Sequence, residues 1–310
     1  MKIVFFGTPE FAVSSLSAII EHGFQVIAVV TAGDKASGRG LKLSESAVKI
    51  FAKSKNIEIL QPESLKSTDF IERLKVLNAD LFVVVAFRKL PAEVFKMPEY
   101  GTINLHASLL PDYRGAAPIN WSIINGETET GVTTFFINEK IDCGDILLQK
   151  AVKIENTDNA GSLHDKLSQI GSQLLVDTIS GIRDGVITTE KQTYSGGYKS
   201  APKIDKEFCR IDWYKSAQEI SNFIRGLSPY PGSWTLLQGK LLKVYHAEVV
   251  FQEHKMQPGS VFTDDKTYFY VAASQFFISI LSIQLEGKKM MQIQDFLKGF
   301  RLADNTILGE

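Results

Sequence analysis

Asn104 and His106 stand two apart in the stretch Asn104-Leu105-His106-Ala107-Ser108-Leu109-Leu110-Pro111. Residues 101–110 read as a β-strand ended by Pro111. Side chains alternate across a strand, so the two polar groups point the same way. One is an amide donor; the other can donate, accept or carry a proton near neutral pH. Side by side near a strand end, they suit an oxygen that gains negative charge in a transition state. An isolated Asn-x-His pair is more often structural than catalytic, and the longer context reverses that reading. Ile141-Asp142-Cys143-Gly144-Asp145-Ile146 follows a second β-rich run at 131–137. It places the Asp142 carboxylate at the start of another strand, where it can face the pair. Carboxylate, imidazole and amide converging in a cleft form an acyl-transfer site without metal or covalent nucleophile. Cys143 is adjacent, but nothing nearby marks it as an activated thiol.

The elements that must position these groups alternate strand and helix. Residues 2–6 read as a strand and 9–21 as a helix, with Pro9 in its first turn. Strands at 25–31, 57–60 and 81–86 follow, separated by helices at 47–55 and 68–77. Residues 81–86 are a continuous apolar run, as a buried parallel strand requires. The alternation predicts an α/β fold with a doubly wound, Rossmann-like, mostly parallel sheet, closed by a long amphipathic helix at 161–180. Gly7-Thr8-Pro9 sits at the first strand–helix turn but lacks the G-x-G-x-x-G spacing, which rules out a nicotinamide site. A polar, glycine- and lysine-containing stretch reads as a linker at 189–206. Beyond it a helix at 216–226 precedes short strands at 233–237, 241–250, 259–262, 268–271 and 276–284. Gln238-Gly239 is a hairpin signal. This pattern predicts a small C-terminal β-barrel of the oligonucleotide-binding type. The expected domains are 1–188, the linker 189–206, and 207–310.

The chain has 310 residues and a formal net charge of −1. A near-neutral chain offers no global electrostatic case for RNA binding, so any nucleic-acid contact must come from a local patch. The two cysteines, Cys143 and Cys209, make no disulfide framework and have no metal-ligand spacing. Together with the lack of a membrane-length apolar run and of a signal-peptide pattern, this predicts a cytoplasmic protein. His22, His164, His246 and His254 have no partner spacing that suggests a metal, and no metal requirement is expected.

The Asn-x-His strand, the segment Ser-Leu-Leu-Pro-Asp-Tyr-Arg-Gly at 108–115 and the later Asp142-Cys143-Gly144-Asp145 resemble the formyltransferases that use 10-formyltetrahydrofolate. Four further segments narrow the resemblance: Phe6-Gly7-Thr8-Pro9-Glu10-Phe11-Ala12, Arg114-Gly115-Ala116-Ala117-Pro118-Ile119, Gly126-Glu127-Thr128-Glu129-Thr130-Gly131-Val132-Thr133, and Ile224-Arg225-Gly226-Leu227-Ser228-Pro229-Tyr230-Pro231. With these the chain is similar, over essentially its full length, to the methionyl-tRNA formyltransferases. The resemblance implies formyl transfer from N10 of the folate to the α-amine of initiator methionyl-tRNA, for translation initiation. It implies Asn104, His106 and Asp142 as catalytic residues, and a C-terminal barrel that binds tRNA. The expected partners are tRNA and a small-molecule folate, with no membrane, and the chain is expected to be a monomer.

By the same resemblance the folate's pterin ring lies near 85–91 and against the post-strand loop. The folate-binding candidates are Phe87, Arg88, Leu90, Ser108, Leu109, Leu110 and Pro111. The chain departs from the family here: Ala86-Phe87-Arg88-Lys89-Leu90-Pro91 replaces an Ala-Tyr-Gly start and is one residue shorter and more basic. The glycine-rich basic loop at 33–42 matches a tRNA-contacting loop, with Arg39 at the matching position and Lys35 and Lys42 beside it to meet phosphates. Lys203, Lys206 and Lys288 are the candidate tRNA contacts further on.

Three other readings compete. A folate-dependent formyltransferase acting on an amino sugar nucleotide would keep the three polar residues and change the second domain. A hydrolase stripping formyl from folate would use Asp142 to activate water. A non-catalytic RNA-binding module is opposed by the near-neutral charge and by the complete polar set.

Overall fold

The computed structural model describes residues 1–37, 42–193, 197–303 and 305–309, with backbone only at 35–37, 42 and 43. In chain order the elements are β1 (Lys2–Gly7), α1 (Glu10–Glu21), β2 (Gln25–Val30), β3 (Lys35–Ser37), β4 (Lys42–Ser44), α2 (Ala47–Ser54), β5 (Glu58–Leu60), α3 (Thr68–Leu77), β6 (Leu81–Val85), α4 (Ala92–Phe95), β7 (Thr102–His106), β8 (Arg114–Gly115), α5 (Pro118–Ile124), β9 (Glu129–Phe136), β10 (Ile146–Lys153) and α6 (Ala160–Arg183). They continue as β11 (Ser200–Ala201), α7 (Ala217–Leu227), β12 (Ser233–Leu237), β13 (Lys240–Val250), β14 (Val261–Thr263), β15 (Phe269–Ala272), β16 (Phe277–Leu285), β17 (Met291–Gln292) and α8 (Ile293–Gly299). Two compact units emerge. One comprises Met1–Gly115, Thr130–Lys153 and His164–Ser200; the other Ala116–Glu129, Ile154–Leu163 and Ala201–Glu310.

The first unit is built on a seven-stranded sheet of order β10-β9-β7-β6-β1-β2-β5. The pairs β1–β2, β1–β6, β2–β5 and β6–β7 are parallel, and β7–β9 is antiparallel. All five residues of β6 are buried, because a parallel strand covered on both faces has no wet side. Phe6, Phe82, Val84, Phe70 and Leu74 make one core layer. The strand order reverses around β1, and in open α/β sheets ligands bind outside the carboxyl ends of strands near such a switch. β7, separated from β1 by β6, ends at the same carboxyl edge with His106.

Two local expectations are corrected. The strand read as 101–110 is only five residues long. It ends at His106 because the next backbone groups bond to side chains instead of a neighbouring strand. Leu110 N–H donates to Thr133 Oγ1 at 3.1 Å, Thr133 Oγ1 donates to the Ser108 carbonyl at 2.6 Å, and Gln149 Nε2 donates to the Leu110 carbonyl at 2.9 Å. Pro9 is the N-cap of α1, with ψ 177°, one position before the first turn.

The second unit carries an antiparallel sheet of order β12-β13-β16-β15-β14, with β17 also on β16. Gln238 and Gly239 join β12 to β13 with φ of 50° and 73°, the left-handed pair that a two-residue hairpin turn demands. α7 begins in a reciprocal cap: Ser216 Oγ accepts from Glu219 N–H, and the Glu219 carboxylate accepts from Ser216 N–H. Its face, Ile220 and Ile224, packs into a core with Val244, Val271 and Ile280. Residues 306–309 lace the two ends of the sheet. Val261 N–H donates to the Thr306 carbonyl, Leu308 N–H to that of Gly259, and Gly309 N–H to that of Leu236. Among the described residues, no helix is long and apolar enough to cross a membrane.

Candidate active site

β7 supplies two of the three polar groups. Asn104 pairs with Val84 on one side and Phe135 on the other, and His106 lies opposite Thr133. Being two apart, they share a face of the sheet. Asn104 is half-buried, and among the described residues no hydrogen bond engages its side-chain amide. A polar group on a core strand is normally spoken for, so this amide stands ready for an outside acceptor.

His106 is 7% exposed. Its Nε2 lies 2.9 Å from the Tyr113 carbonyl. A carbonyl only accepts, so Nε2 carries the hydrogen. Nδ1 is therefore the nitrogen left for chemistry, and it faces Asp142 Oδ2 at 3.9 Å. That separation exceeds a hydrogen bond. Tyr113 is itself held: its φ is 59°, its side chain is buried, and its N–H donates to the Lys199 carbonyl at 2.6 Å.

Asp142 lies four residues before β10, not at the start of a strand as expected. Its φ is 52°, within the left-handed region that Asp tolerates better than most residues. Oδ2 accepts from the Gly115 N–H at 3.0 Å, so one carboxylate oxygen meets both a backbone donor and the imidazole. Gly144 allows the loop to turn back on β9. A Cβ there would stand 1.5 Å from the Phe136 carbonyl oxygen, which no side chain survives. Cys143 Sγ donates to the Ile141 carbonyl at 3.0 Å. That bond spends the thiol locally.

The folate candidates divide by environment. Arg88 donates to the carbonyls of Pro62 and Glu63, the latter at 3.1 Å, and its guanidinium lies over the Phe87 ring. Phe87 meets Phe6 edge-on at 5.7 Å. Leu90 and Leu110 are each 3% exposed, and Leu90 belongs to the core. Ser108 is fully buried and its hydroxyl donates to the Asp112 carbonyl at 2.6 Å. Leu109 and Pro111 are half-buried. A cavity of about 720 Å³ is lined by Phe95, Thr102, Phe136, Ile137, Cys143 and Gln192; none of the folate candidates lines it, and Thr102 opens β7 whereas His106 ends it. The sequence reading did not find it, because its walls come from three elements distant in sequence.

Of the tRNA candidates, Arg39 lies outside the described residues. Lys35 and Lys42 lie on the β3–β4 hairpin, where the backbone pairs Lys35 with Ser44 and Ser37 with Lys42. Lys203, Lys206 and Lys288 are exposed. Arg225, from the Ile224–Pro231 motif, is spent within its own unit. Its Nη1 donates to the carbonyls of Asn156 and Asp158 at 3.1 and 2.8 Å, and its Nη2 to Asn222 Oδ1 at 3.0 Å. Burial pushes its guanidinium down from the usual arginine range, against the pull of Asp158.

A family model described as formyl transferase matches residues 1–179, and one described as formyl transferase, C-terminal domain, matches residues 203–301. The chain belongs to the formyl transferase family. Curated relatives named methionyl-tRNA formyltransferase are similar to this formyltransferase along nearly its whole length. The one from Flavobacterium johnsoniae is 49% identical over 99% of this chain and 98% of the relative. The one from Caldanaerobacter subterraneus subsp. tengcongensis is 48% identical over 99% of this chain and all of the relative. Among solved structures, an N-formyltransferase from Helicobacter canadensis, solved with folinic acid and dTDP-3-aminofucose, superposes with a TM-score of 0.65 at 22% identity, covering 90% of this chain and 98% of that one. HypX from Aquifex aeolicus in complex with tetrahydrofolic acid gives 0.66 at 18% identity, covering 98% of this chain and 48% of that one. The two structural likenesses bear on the fold alone.

Proposed function

We propose that this formyltransferase moves the formyl group of 10-formyltetrahydrofolate to the α-amine of initiator methionyl-tRNA, giving N-formylmethionyl-tRNA for translation initiation. The observation that carries the reading is identity of about half the residues, end to end, with methionyl-tRNA formyltransferases. The free Asn104 amide beside a tethered imidazole–carboxylate pair supports it.

In this reading the neutral amine attacks the formyl carbon. The C–N bond forms as the carbonyl π pair moves onto oxygen. Asn104 donates its amide hydrogen to that oxyanion, the one interaction stronger in the transition state than before it. The amine's proton leaves towards the Nδ1 edge of His106 and the Asp142 carboxylate. Collapse of the oxyanion breaks the bond to N10 of the folate, which takes up a proton. Asp142 keeps the imidazole edge oriented and supplies negative charge beside it. No covalent enzyme intermediate is needed, and Cys143 takes no part.

The folate's fused ring lies near 85–91 and against the loop at 108–111, outside the carboxyl end of β7. Of the folate candidates, Leu109 and Pro111 offer side-chain surface. Phe87, Arg88, Leu90, Ser108 and Leu110 act through backbone or by holding the loop. Lys35, Arg39 and Lys42, with Lys203, Lys206 and Lys288, meet tRNA phosphates. The chemistry is assigned to 1–188 and tRNA binding to 207–310; the stretch 189–206 joins them and, up to Ser200, packs with the first unit. The enzyme works as a monomer in the cytoplasm.

The test is a formyl-transfer assay with 10-formyltetrahydrofolate and initiator methionyl-tRNA, run beside an amino sugar nucleotide. Transfer to the tRNA, abolished by His106→Ala, is the expected result. Transfer to the sugar alone would keep the chemistry and overturn the substrate. Formate release without an acceptor would make the protein a hydrolase.

A further inference from the structure

Gln192 belongs to no helix or strand and lies in the stretch between α6 and β11. Its side-chain amide is fully engaged. Nε2 donates to the carbonyl of Asp142 at 3.0 Å and to that of Gly144 at 2.7 Å. Oε1 accepts from Arg114 Nε at 3.1 Å and also from Arg114 Nη2. Arg114 is 7% exposed and its guanidinium lies 5.0 Å from the Tyr198 ring. Only a primary amide both donates two hydrogens and accepts two. Glutamate could keep the arginine and lose both carbonyls; an apolar residue would lose everything.

The stretch around Gln192 reaches both halves of the site. Glu190 exchanges two backbone hydrogen bonds with Ile146, at 2.7 and 2.9 Å, just beyond the Asp142 loop. Lys199 accepts from the Tyr113 N–H at 2.6 Å and donates its own N–H to Asp112 Oδ1 at 2.9 Å. Tyr113 in turn gives His106 its carbonyl. The imidazole and the carboxylate are therefore each held, at one remove, by the same segment. Asp142 sits at a positive φ in a loop where Gly144 runs close against the Phe136 carbonyl, so its side chain is aimed by what grips the backbone on either side of it.

We infer that Gln192 is a positioning residue for formyl transfer: it fixes the Asp142 loop through the two carbonyls, while Arg114 fixes Gln192. The inference rests on the reading that Asn104, His106 and Asp142 carry the reaction. A displacement of about 1 Å in a catalytic group costs roughly 10²-fold in rate, so a brace on this backbone is read in kcat.

The experiment compares wild type, Gln192→Glu and Gln192→Met in the full chain. It measures kcat, KM for each substrate, and Tm. Gln192→Glu keeps a partner for Arg114 and presents only acceptors to the two carbonyls. Its kcat is expected to fall about 10- to 100-fold, with both KM values within about threefold of wild type and Tm little changed. Gln192→Met is expected to show the same kcat loss together with a lower Tm. A kcat within about twofold of wild type in Gln192→Glu, or a loss that follows Tm across the two variants, overturns the inference. Failure of the proposed substrate is read separately, in wild type; the variants are then scored on whichever formyl transfer or release the wild type performs.

Discussion

The Nε2 of His106 donates to the Tyr113 carbonyl at 2.9 Å. This bond fixes the tautomer of a buried imidazole and turns Nδ1 towards Asp142. It also ties the last residue of β7 to the loop that follows it, so the side chain has a structural duty as well as a chemical one.

Those duties separate in His106→Gln. A glutamine amide can still donate to Tyr113 but carries no titratable nitrogen. Its kcat is expected to fall about 10²- to 10⁴-fold, with Tm close to wild type. His106→Ala should lose the same activity and also destabilise the loop. Steady-state kinetics beside thermal melts check both, and a glutamine variant with near-normal turnover would remove His106 from the chemistry.

Asp142 calls for a different pair. Asparagine keeps an oxygen for the Gly115 N–H and, like Asp, tolerates a positive φ. Asp142→Asn should therefore fold normally, bind folate normally and lose about 10²-fold or more in kcat. Asp142→Ala loses the tether too, and its Tm should drop as well. Equal activity in Asp142→Asn and wild type would show that the charge is not needed.

Gly144→Ala places a methyl group on the Phe136 carbonyl, and the loop carrying Asp142 must move. We expect a Tm lowered by about 2–8 °C and a kcat lowered at least about 10²-fold. A crystal structure of the variant with Asp142 in place would contradict this.

The two cysteines should behave oppositely. Cys143 is half-buried, whereas Cys209 is buried and donates to the Asp205 carbonyl at 3.1 Å. Burial, then the charge of Asp205, pushes the Cys209 thiol above its ordinary range, with Lys243 opposing. A folded-state value above the unfolded one means that stability is intact below the ordinary thiol range and is lost as pH rises towards the raised value. Alkylation of native protein should label Cys143 and spare Cys209. Wild type should lose more Tm than Cys209→Ala between about pH 8 and 10. Parallel Tm curves for the two proteins would refute the shift.

Much of the scaffold is legible in the sequence because it depends on local periodicity. The helix at Thr68–Leu77 and the strand at Ser233–Leu237 have the bounds their patterns imply. Asn104 and His106 were readable as a same-face pair once a strand was assigned. The length of that strand was not readable, since Thr133 and Gln149 decide where it ends. Nor was the left-handed backbone of Asp142, which a β-rich flank disguises. The partners that aim the site, Gly115 N–H, the Tyr113 carbonyl and the Gln192 amide, left no signal, because backbone atoms have no letter and a lone glutamine resembles any surface residue. Arg225 shows the converse. Its motif stands out as a family signature, and its side chain turns out to hold the backbone of Asn156 and Asp158.

Because Ala116–Glu129 and Ile154–Leu163 belong to the same compact unit as Ala201–Glu310, the inheritable module here is not one continuous piece of coding sequence. A chimera spliced near residue 200 would separate α7 from α5, whose Asn120 donates to the Gly226 carbonyl at 2.7 Å. It would also part Arg225 from the Asn156 and Asp158 backbone that its guanidinium holds, leaving it Asn222 alone from its own parent. Recombination that respects this architecture must exchange three segments together.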